Sequence, residues 1–378
     1  MGLVALALYV HWPWCVHKCP YCDFNSRGGL FRINESRYIA ALLADLSQVA
    51  HTVSRPVTSV FFGGGTPSLM TSEGFDALMR GIGERVDLAH DAEITLEANP
   101  GTVTEEKLAA FARSGVTRLS LGVQSFNAAS LSFLGRIHTA RQAREAVTWA
   151  KNTFAHVNID MMYALSGQTQ ADLRADAEEA VSFNTDHLSY YELTIEPGSV
   201  FFKRPPENLP DADTAGDMAE CIQTITRKAG FDHYEVSAYA KAGSRCRHNM
   251  TYWTYGDYLA IGAGAHAKIT TPDGAVFREV RAKSPVRYMT DVENGTFVQR
   301  RRRVRSEEIP FEFMLNVLRL REGVAKERWE EATGLPYALI APKVASLQRE
   351  GLMEKTDRLA ATALGRRFLN TLQERFLP

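Results

Sequence analysis

The 378-residue sequence has few cysteines, no charge excess of consequence and no long hydrophobic run. Three of its five cysteines lie within eight positions, which favours metal or redox chemistry over a disulfide framework. Lys and Arg number 43 against 44 Asp and Glu, so there is no overall attraction to nucleic acid or to an anionic membrane. No stretch approaches the about 20 apolar residues of a membrane span, and the short apolar opening lacks the basic region of a signal peptide. We therefore expect a cytoplasmic protein that binds no nucleic acid.

One local departure from charge balance is the basic run Arg300–Arg303 with Arg305. Such a run is most often a solvated face. It could also bind a carboxylate such as a propionate, a partner protein or a membrane surface, so peripheral membrane contact stays open. The composition is otherwise that of a globular chain, with 45% hydrophobic and 23% charged residues, and the length predicts two to three domains.

Up to about residue 240, β-like segments alternate with amphipathic helical segments. Six such repeats predict a parallel sheet with helices outside it. Six is too few for a closed eight-stranded barrel, so we expect a partial, open barrel or a doubly wound sheet. The helices have clear start signals, including a capping box at Thr139 and Gln142. The predicted strands are Ala5–His11, Thr58–Phe62, Ala92–Glu97, Arg118–Gln124, His156–Met162 and His187–Thr194.

The pattern changes towards the carboxyl end. A further strand, Tyr234–Ala238, leads into a Gly- and aromatic-rich stretch, Gly243–His266, without clear periodicity. After Arg305 we expect three helices, a short β-like segment and a last helix, which together suggest a compact, winged-helix-like α+β domain. The predicted domains are 1–240, a connecting segment 241–300, and 301–378. The predicted elements of the last domain are Phe311–Leu320, Lys326–Thr333, Tyr337–Glu350, Leu352–Arg358 and Ala363–Phe376.

The strongest chemical signal is the motif CVHKCPYC, which places Cys15, Cys19 and Cys22 on one short loop after the first strand. Three thiolates at this spacing can face one metal centre. A zinc site would need a fourth ligand, which His11 or His17 could supply. An iron-sulfur cube held by three cysteines would instead leave one iron open to bind a substrate directly.

Further polar and glycine residues follow the other predicted strands. GGGTPS contains Gly64, Gly65 and Thr66 and allows close approach of the backbone to a ligand. The carboxyl ends of parallel strands meet at one edge, where α/β sheets bind ligands, so these residues predict a shared pocket with the cysteine loop. Arg136 could reach a ligand carboxylate at the same edge. The strand residues of this pocket are Glu97, Gln124 and Asp160.

A second group of residues lies in CRHNMTYW, where His248 precedes Asn249, Tyr252 and Trp253. An imidazole beside large aromatic rings can hold a flat hydrophobic ligand through an axial nitrogen. A packed aromatic corner with a hydrogen-bonded histidine is the alternative, and Cys246 is an alternative thiolate ligand.

Taken together, CVHKCPYCDFNS, GGGTPS, LEANP, LGVQSF, GRIH, NIDMMYALSGQT, HNMTYW and FEFMLNVLRLREGV resemble the oxygen-independent coproporphyrinogen III oxidase-like family of radical S-adenosylmethionine (SAM) proteins, and within it the heme-chaperone branch. The resemblance implies a partial (β/α)6 radical-SAM barrel with a carboxyl-terminal oxidase-family domain. It implies three cofactors or cargoes: a 4Fe-4S cluster, SAM and heme. The implied partner is a heme-acceptor protein, plausibly a respiratory heme protein.

By the same resemblance, Cys15, Cys19 and Cys22 match the cluster ligands and His248 matches the heme ligand. The positions that match SAM contacts are Tyr9, Tyr21, Gly64, Gly65, Thr66, Glu97, Gln124, Arg136 and Asp160.

The sequence departs from the true oxidases in two ways. They carry a further cysteine two residues after the third ligand, where this chain has Phe24, and an amino-terminal extension, whereas here fourteen residues precede Cys15. Ala164 and Ser166 also replace a Gly and a Pro in the usual DLIYGLPGQT. The expected function is heme binding and transfer rather than catalysis. The alternatives are a coproporphyrinogen III oxidase, a radical SAM methyltransferase and a zinc-stabilised binding module.

Overall fold

A computed structural model describes residues 6–29, 34–51 and 54–378. The predicted strand start at Ala5 lies outside these residues. The strands are β1 (Leu6–Trp12), β2 (Trp14–Cys15), β3 (Arg27–Gly28), β4 (Val57–Gly64), β5 (Leu88–Ala98), β6 (Arg118–Gln124), β7 (His156–Tyr163), β8 (His187–Glu192), β9 (Asp232–Glu235), β10 (Ala238–Ala240), β11 (Asp257–Ile261), β12 (His266–Thr270), β13 (Val276–Val280), β14 (Arg300–Arg303), β15 (Val324–Ala325) and β16 (Arg358–Leu359).

The α-helices are α1 (Glu35–Ala50), α2 (Ser72–Gly83), α3 (Glu105–Arg113), α4 (Ala128–Phe133), α5 (Ala140–Thr153), α6 (Gln170–Ser182), α7 (Val200–Lys203), α8 (Ala212–Lys228), α9 (Arg247–Trp253), α10 (Pro285–Glu293), α11 (Ile309–Val317), α12 (Glu327–Thr333), α13 (Ala341–Arg349), α14 (Ala363–Arg367) and α15 (Leu369–Glu374). Short 3-10 helices cover Pro67–Leu69, Pro100–Thr102 and Tyr337–Leu339. The capping box predicted at Thr139 and Gln142 is confirmed at the start of α5. None of the helices in the described part of the chain combines the length and apolar character needed to cross a membrane.

Twelve strands form one sheet, in the order β14-β13-β12-β11-β1-β4-β5-β6-β7-β8-β10-β9. The six predicted strands are confirmed as β1 and β4 to β8, which pair in parallel in that order. β11 extends the parallel set on the other side of β1. The sheet therefore has the partial (β/α)6 arrangement expected, with antiparallel strands added at both ends.

Side chains along each parallel strand alternate between two environments. On β6, Leu119, Leu121 and Val123 are fully buried in the main core. Ser120, at the opposite parity, hydrogen-bonds Asp160 of the neighbouring strand. Because successive strand residues point to opposite faces, the second set lines the inside of the barrel, which is polar.

The structure differs from the expectation in several elements. Gly243–His266, expected to be irregular, contains α9 and β11, and β12 to β14 continue the sheet beyond them. Tyr234–Ala238 is not one strand: it spans the end of β9, the turn of the β9–β10 hairpin and the first residue of β10. The last predicted helix is divided into α14 and α15, because Phe368 has non-helical dihedrals. The strands that were missed are short, at three to five residues, so local periodicity gives a weak signal for them.

The carboxyl-terminal region has the element order α11, β15, α12, α13, β16, α14, α15, with an isolated bridge between Met353 and Ala361. The expected β-like segment Leu352–Arg358 contains only Met353 of that bridge and the first residue of β16. The order of the elements agrees with the expected winged-helix-like arrangement. Its core contains Phe313 and Trp329, whose rings lie 5.1 Å apart at 82°. The same core includes Tyr234 and Tyr255, so the region packs firmly against the end of the barrel.

Candidate functional site

The loop that carries the three cysteines leaves β1 and returns at β3. Cys15, Cys19 and Cys22 are all half-buried, and none is in a disulfide. Burial raises the pKa of Cys15 and of Cys22. Hydrogen bonds from the Thr66 and Ser26 hydroxyls oppose the rise in the pKa of Cys15. The Ser26 hydroxyl also opposes the rise at Cys22, whose sulfur lies 3.8 Å from the Ser26 oxygen. Metal binding at this loop would therefore release protons from these thiols.

The glycine loop after β4 packs directly on the backbone that leads into the cysteines. The Gly65 amide donates to the Trp12 carbonyl at 2.6 Å, and the Thr66 amide donates to the Trp14 carbonyl at 2.8 Å. A Cβ on Gly65 would lie 2.5 Å from the Trp14 oxygen. Gly64 has φ +109°, and a Cβ there would meet the His11 ring at 2.3 Å. These glycines are required by protein packing, in addition to any role in approaching a ligand.

Arg136 joins the cysteine loop to the end of β6. One of its terminal nitrogens lies 3.4 Å from the Cys19 sulfur and 3.5 Å from the Tyr21 hydroxyl. The other donates to the Gly122 carbonyl at 2.6 Å. Its Nε is buried and has no hydrogen-bond partner among the described residues. An anionic group of a ligand would satisfy this donor.

Glu97 and Asp160 form a pair of carboxyl groups inside the barrel. Burial, followed by the charge of Asp160, raises the pKa of Glu97 to about 8, while a hydrogen bond from the Gly64 amide opposes the rise. Burial also raises the pKa of Asp160, which accepts from Ser120 at 2.9 Å and from Asn158 at 2.7 Å. Glu97 has no ion pair with a basic side chain in the described part of the chain. The pair is suited to accept hydrogen bonds from amino or hydroxyl groups of a ligand.

Tyr9 and Gln124 complete the same edge. The Tyr9 hydroxyl lies 3.0 Å from His11 Nδ1, and burial followed by the Glu97 charge raises its pKa well above the ordinary value. Gln124 ends β6 with φ +71°, a strained backbone conformation for a residue with a side chain. The structure thus brings the cysteine loop, the glycine loop, Glu97 and Arg136 to one end of the barrel.

The zinc alternative lacks a suitable fourth ligand. His11 is buried, with Nε2 3.0 Å from the Asn25 carbonyl and Nδ1 bonded to Tyr9, and His17 is exposed. No three His, Cys, Asp or Glu side chains of the described ranges converge closely enough to hold one metal ion. Three free thiols on one loop, with both His11 nitrogens engaged, are a donor set that fits an iron-sulfur cluster with one open iron.

His248 lies next to this edge, beside Ser59 on β4, and its ring centroid is 6.5 Å from that of Tyr9. It is 1% exposed on α9, and burial lowers its pKa to about 3, so its ring is neutral. Nδ1 lies 3.2 Å from the Ser59 hydroxyl, and Nε2 lies 2.7 Å from the Tyr252 hydroxyl. Phe61 packs 5.0 Å from the ring. Both ring nitrogens are thus engaged, as in a packed aromatic corner, and an iron could reach Nε2 only if Tyr252 moved.

Cys246, the alternative thiolate ligand, is buried against the carboxylate of Glu93. It is 4% exposed, and its sulfur lies 3.5 Å from a Glu93 carboxylate oxygen. Burial, and then the Glu93 charge, raise the pKa of the thiol, so it stays protonated.

The sequence analysis missed several polar residues on the interior face. Ser59 contacts His248, and Asn158 bonds Ser120, Asp160 and His187. Asn158 lies two positions before Asp160 on β7, so the two-residue period of a strand could have identified it. No such signal could show the contact of Ser59 with His248, a residue 189 positions away.

Comparison with known proteins gives consistent matches. The profile of the radical SAM superfamily matches residues 9–180, and that of the HemN C-terminal domain matches residues 304–368. The heme chaperone HemW of Haemophilus influenzae is 42% identical over 382 residues, covering 99% of this chain and 98% of that protein. HemW of Escherichia coli is 42% identical over 378 residues, covering 99% of each.

Among solved structures, coproporphyrinogen III oxidase (HemN) from Escherichia coli superposes with a TM-score of 0.83 at 21% identity, covering 99% of this chain and 90% of that one. At this identity the likeness shows a shared fold.

Proposed function

The chain belongs to the radical SAM superfamily and, within it, to the family of the heme chaperone HemW, and on that basis we propose that it binds heme and passes it to an acceptor protein in the cytoplasm. One observation carries the cofactor part of this proposal. The three-cysteine loop, the glycine loop and the unpaired Glu97 carboxyl lie at one end of the barrel. The site is therefore suited to a three-cysteine cluster with a small, charged ligand beside it.

In this proposal Cys15, Cys19 and Cys22 hold a 4Fe-4S cluster. SAM lies against Tyr9, Gly64, Gly65, Thr66, Glu97, Gln124, Arg136 and Asp160, with Tyr21 beside Arg136. When bound, the cluster supplies an electron and an open iron position. Arg136 keeps positive charge next to Cys19 and can orient a ligand carboxylate with its free Nε. Glu97 gives up its proton when a cationic or hydroxyl donor binds.

Heme is proposed to bind through His248. The ring is neutral, which iron ligation requires, and aromatic side chains surround it. Binding needs the Tyr252 hydroxyl to leave Nε2, so we infer that Tyr252 competes with heme iron for this nitrogen.

This competition predicts opposite effects for two variants. Replacing Tyr252 with Phe should raise heme affinity by about 2- to 10-fold, because a competing hydrogen bond to Nε2 is lost. Replacing His248 with Ala should lower the affinity by at least a similar factor. Heme titration followed by Soret absorbance under anaerobic conditions measures both.

Circular dichroism and iron content of the two variants control for loss of fold. If both variants titrate heme as the wild type does, His248 is not the iron ligand. The exposed His51 offers a matched control, because its replacement with Ala should leave the titration unchanged.

Metal analysis tests the cluster directly. Anaerobically reconstituted protein should contain about four iron atoms per chain, with equal sulfide, and its colour should bleach in air. One zinc per chain, without iron, would overturn the proposal. Conversion of coproporphyrinogen to protoporphyrinogen with SAM would instead assign an oxidase activity.

The acceptor is proposed to be a respiratory heme protein, with any membrane contact peripheral. β14 supports a contact surface, because it is an edge strand with four exposed arginines. Arg302 already pairs with Glu308 at 2.6 Å, and Arg301 with Glu279 at 3.5 Å. Arg300 and Arg303 form no ion pair within the described ranges, so both can contact an acidic partner surface.

A further inference from the structure

A cavity of about 450 Å³ lies between α8, β9 and the carboxyl-terminal region, and it contains none of the residues assigned above. Its volume falls within the range of small-molecule sites. Three arginines from separate elements line it: Arg227 lies in the last turn of α8, Arg321 follows α11, and Arg366 lies on α14. Residues distant in sequence thus bring three guanidinium groups around one space.

Two carboxylates, Asp232 and Glu322, also line the cavity, and neither forms an ion pair with these arginines. Asp232 and Glu322 both pair with Arg245, which is not part of the cavity lining. Within the described ranges, Arg227, Arg321 and Arg366 have no carboxylate partner within ion-pair distance. Three positive charges around one cavity repel one another unless an anion binds.

Most guanidinium hydrogen-bond donors of these three arginines have no partner in the part of the chain that the structure describes. Arg366 uses one terminal nitrogen on the Ala361 carbonyl, at 2.8 Å, and Arg321 uses one on His233 Nδ1, at 3.1 Å. Burial, and then repulsion from Arg321, lower the pKa of Arg366, with Glu354 opposing. Gln223 lies four residues before Arg227, so both side chains share one face of α8.

Because these arginines form no ion pairs in the described part of the chain, we propose that the cavity binds a small molecule carrying a phosphate or pyrophosphate group. Planar guanidinium groups match phosphate oxygens with paired hydrogen bonds. The Gln223 amide adds a neutral donor. This site is independent of the heme proposal, and its failure would leave that proposal unaffected.

Sodium pyrophosphate is the probe, measured by isothermal titration and by thermal unfolding at constant ionic strength. We expect saturable binding and a rise in melting temperature that grows with ligand concentration. Replacing Arg227 with Gln should weaken binding about tenfold, because one charge-assisted contact is lost. Lys228, which is exposed like Arg227 but lies outside the lining, provides the control: Lys228→Gln removes the same charge and should bind as the wild type does.

The Arg227 side chain makes no hydrogen bond to other described residues, so Arg227→Gln should fold normally. Arg366→Gln gives a second measurement, with the exposed Arg367→Gln as its control. Equal loss in the Lys228 and Arg227 variants would mean nonspecific attraction and would overturn the proposal. So would the absence of saturable binding, or tighter binding of a hexaglutamate peptide than of pyrophosphate.

Discussion

The Gly65→Ala variant is expected to lose most of the bound iron, and its free energy of unfolding should be about 2–3 kcal/mol below that of the wild type. The added Cβ would lie 2.5 Å from the Trp14 carbonyl oxygen and 2.8 Å from its nitrogen. Both atoms belong to the backbone of the strand that carries Cys15, so neither can move without moving the cysteine. The strain therefore reaches the cluster ligands directly.

Iron and sulfide content after anaerobic reconstitution measures the first effect, and urea unfolding measures the second. Gly83→Ala is the matched control. Gly83 is exposed at the end of α2, and a Cβ there meets nothing within 4 Å. That variant should keep its iron and gain up to about 1 kcal/mol from helix propensity. Full iron content in Gly65→Ala would show that the glycine loop does not set the cysteine geometry.

Glu97→Gln should weaken SAM binding by about 10- to 100-fold while making the ligand-free protein more stable at alkaline pH. The carboxylate is lost as an acceptor of charge-assisted hydrogen bonds, which accounts for the weaker binding. The variant also has no buried carboxyl group that must ionise beside Asp160 at alkaline pH, which accounts for its greater stability there.

The sign of the pH dependence follows from the pKa of about 8 in the folded chain, against an ordinary value of 4.5. Between these values the folded state holds the proton and the unfolded state does not. The free energy of unfolding of the wild type therefore falls as pH rises from 4.5 to 8. The Glu97→Gln variant has no carboxyl proton at this position, so it lacks this pH dependence. The free energy of unfolding of the variant, relative to that of the wild type, should be about 1–3 kcal/mol higher at about pH 8.5 than at about pH 4.5.

Urea unfolding across this pH range and SAM titration by calorimetry measure the two effects. Glu220→Gln, on an exposed position of α8, is the control and should change neither. A variant with weaker SAM binding but an unchanged pH profile would mean that Glu97 is already ionised in the folded protein.

Much of the fold follows from local sequence. The six parallel strands are predicted by their apolar runs and by the helices between them, and β6 is predicted at both of its ends. These elements are long, and their partners follow next in the chain, so hydrophobic periodicity is sufficient. β11 was missed because it is short and pairs with the distant β1. β12 was missed because it is a five-residue strand in a short hairpin with β13.

In the candidate site, too, some features follow from local sequence and others do not. The spacing of Cys15, Cys19 and Cys22 determined by itself that three thiols share one loop, because so short a length of chain cannot separate them far. The position of Glu97 at a strand end likewise placed it near that loop.

Only the tertiary structure decided how these residues behave. It gave Gly65 a packing role against Trp14, raised the pKa of Glu97 through burial and Asp160, and engaged both nitrogens of His248. Each effect depends on contacts between segments far apart in the chain. Contact, burial and charge proximity arise only when the sheet closes around its interior, and no local pattern encodes them.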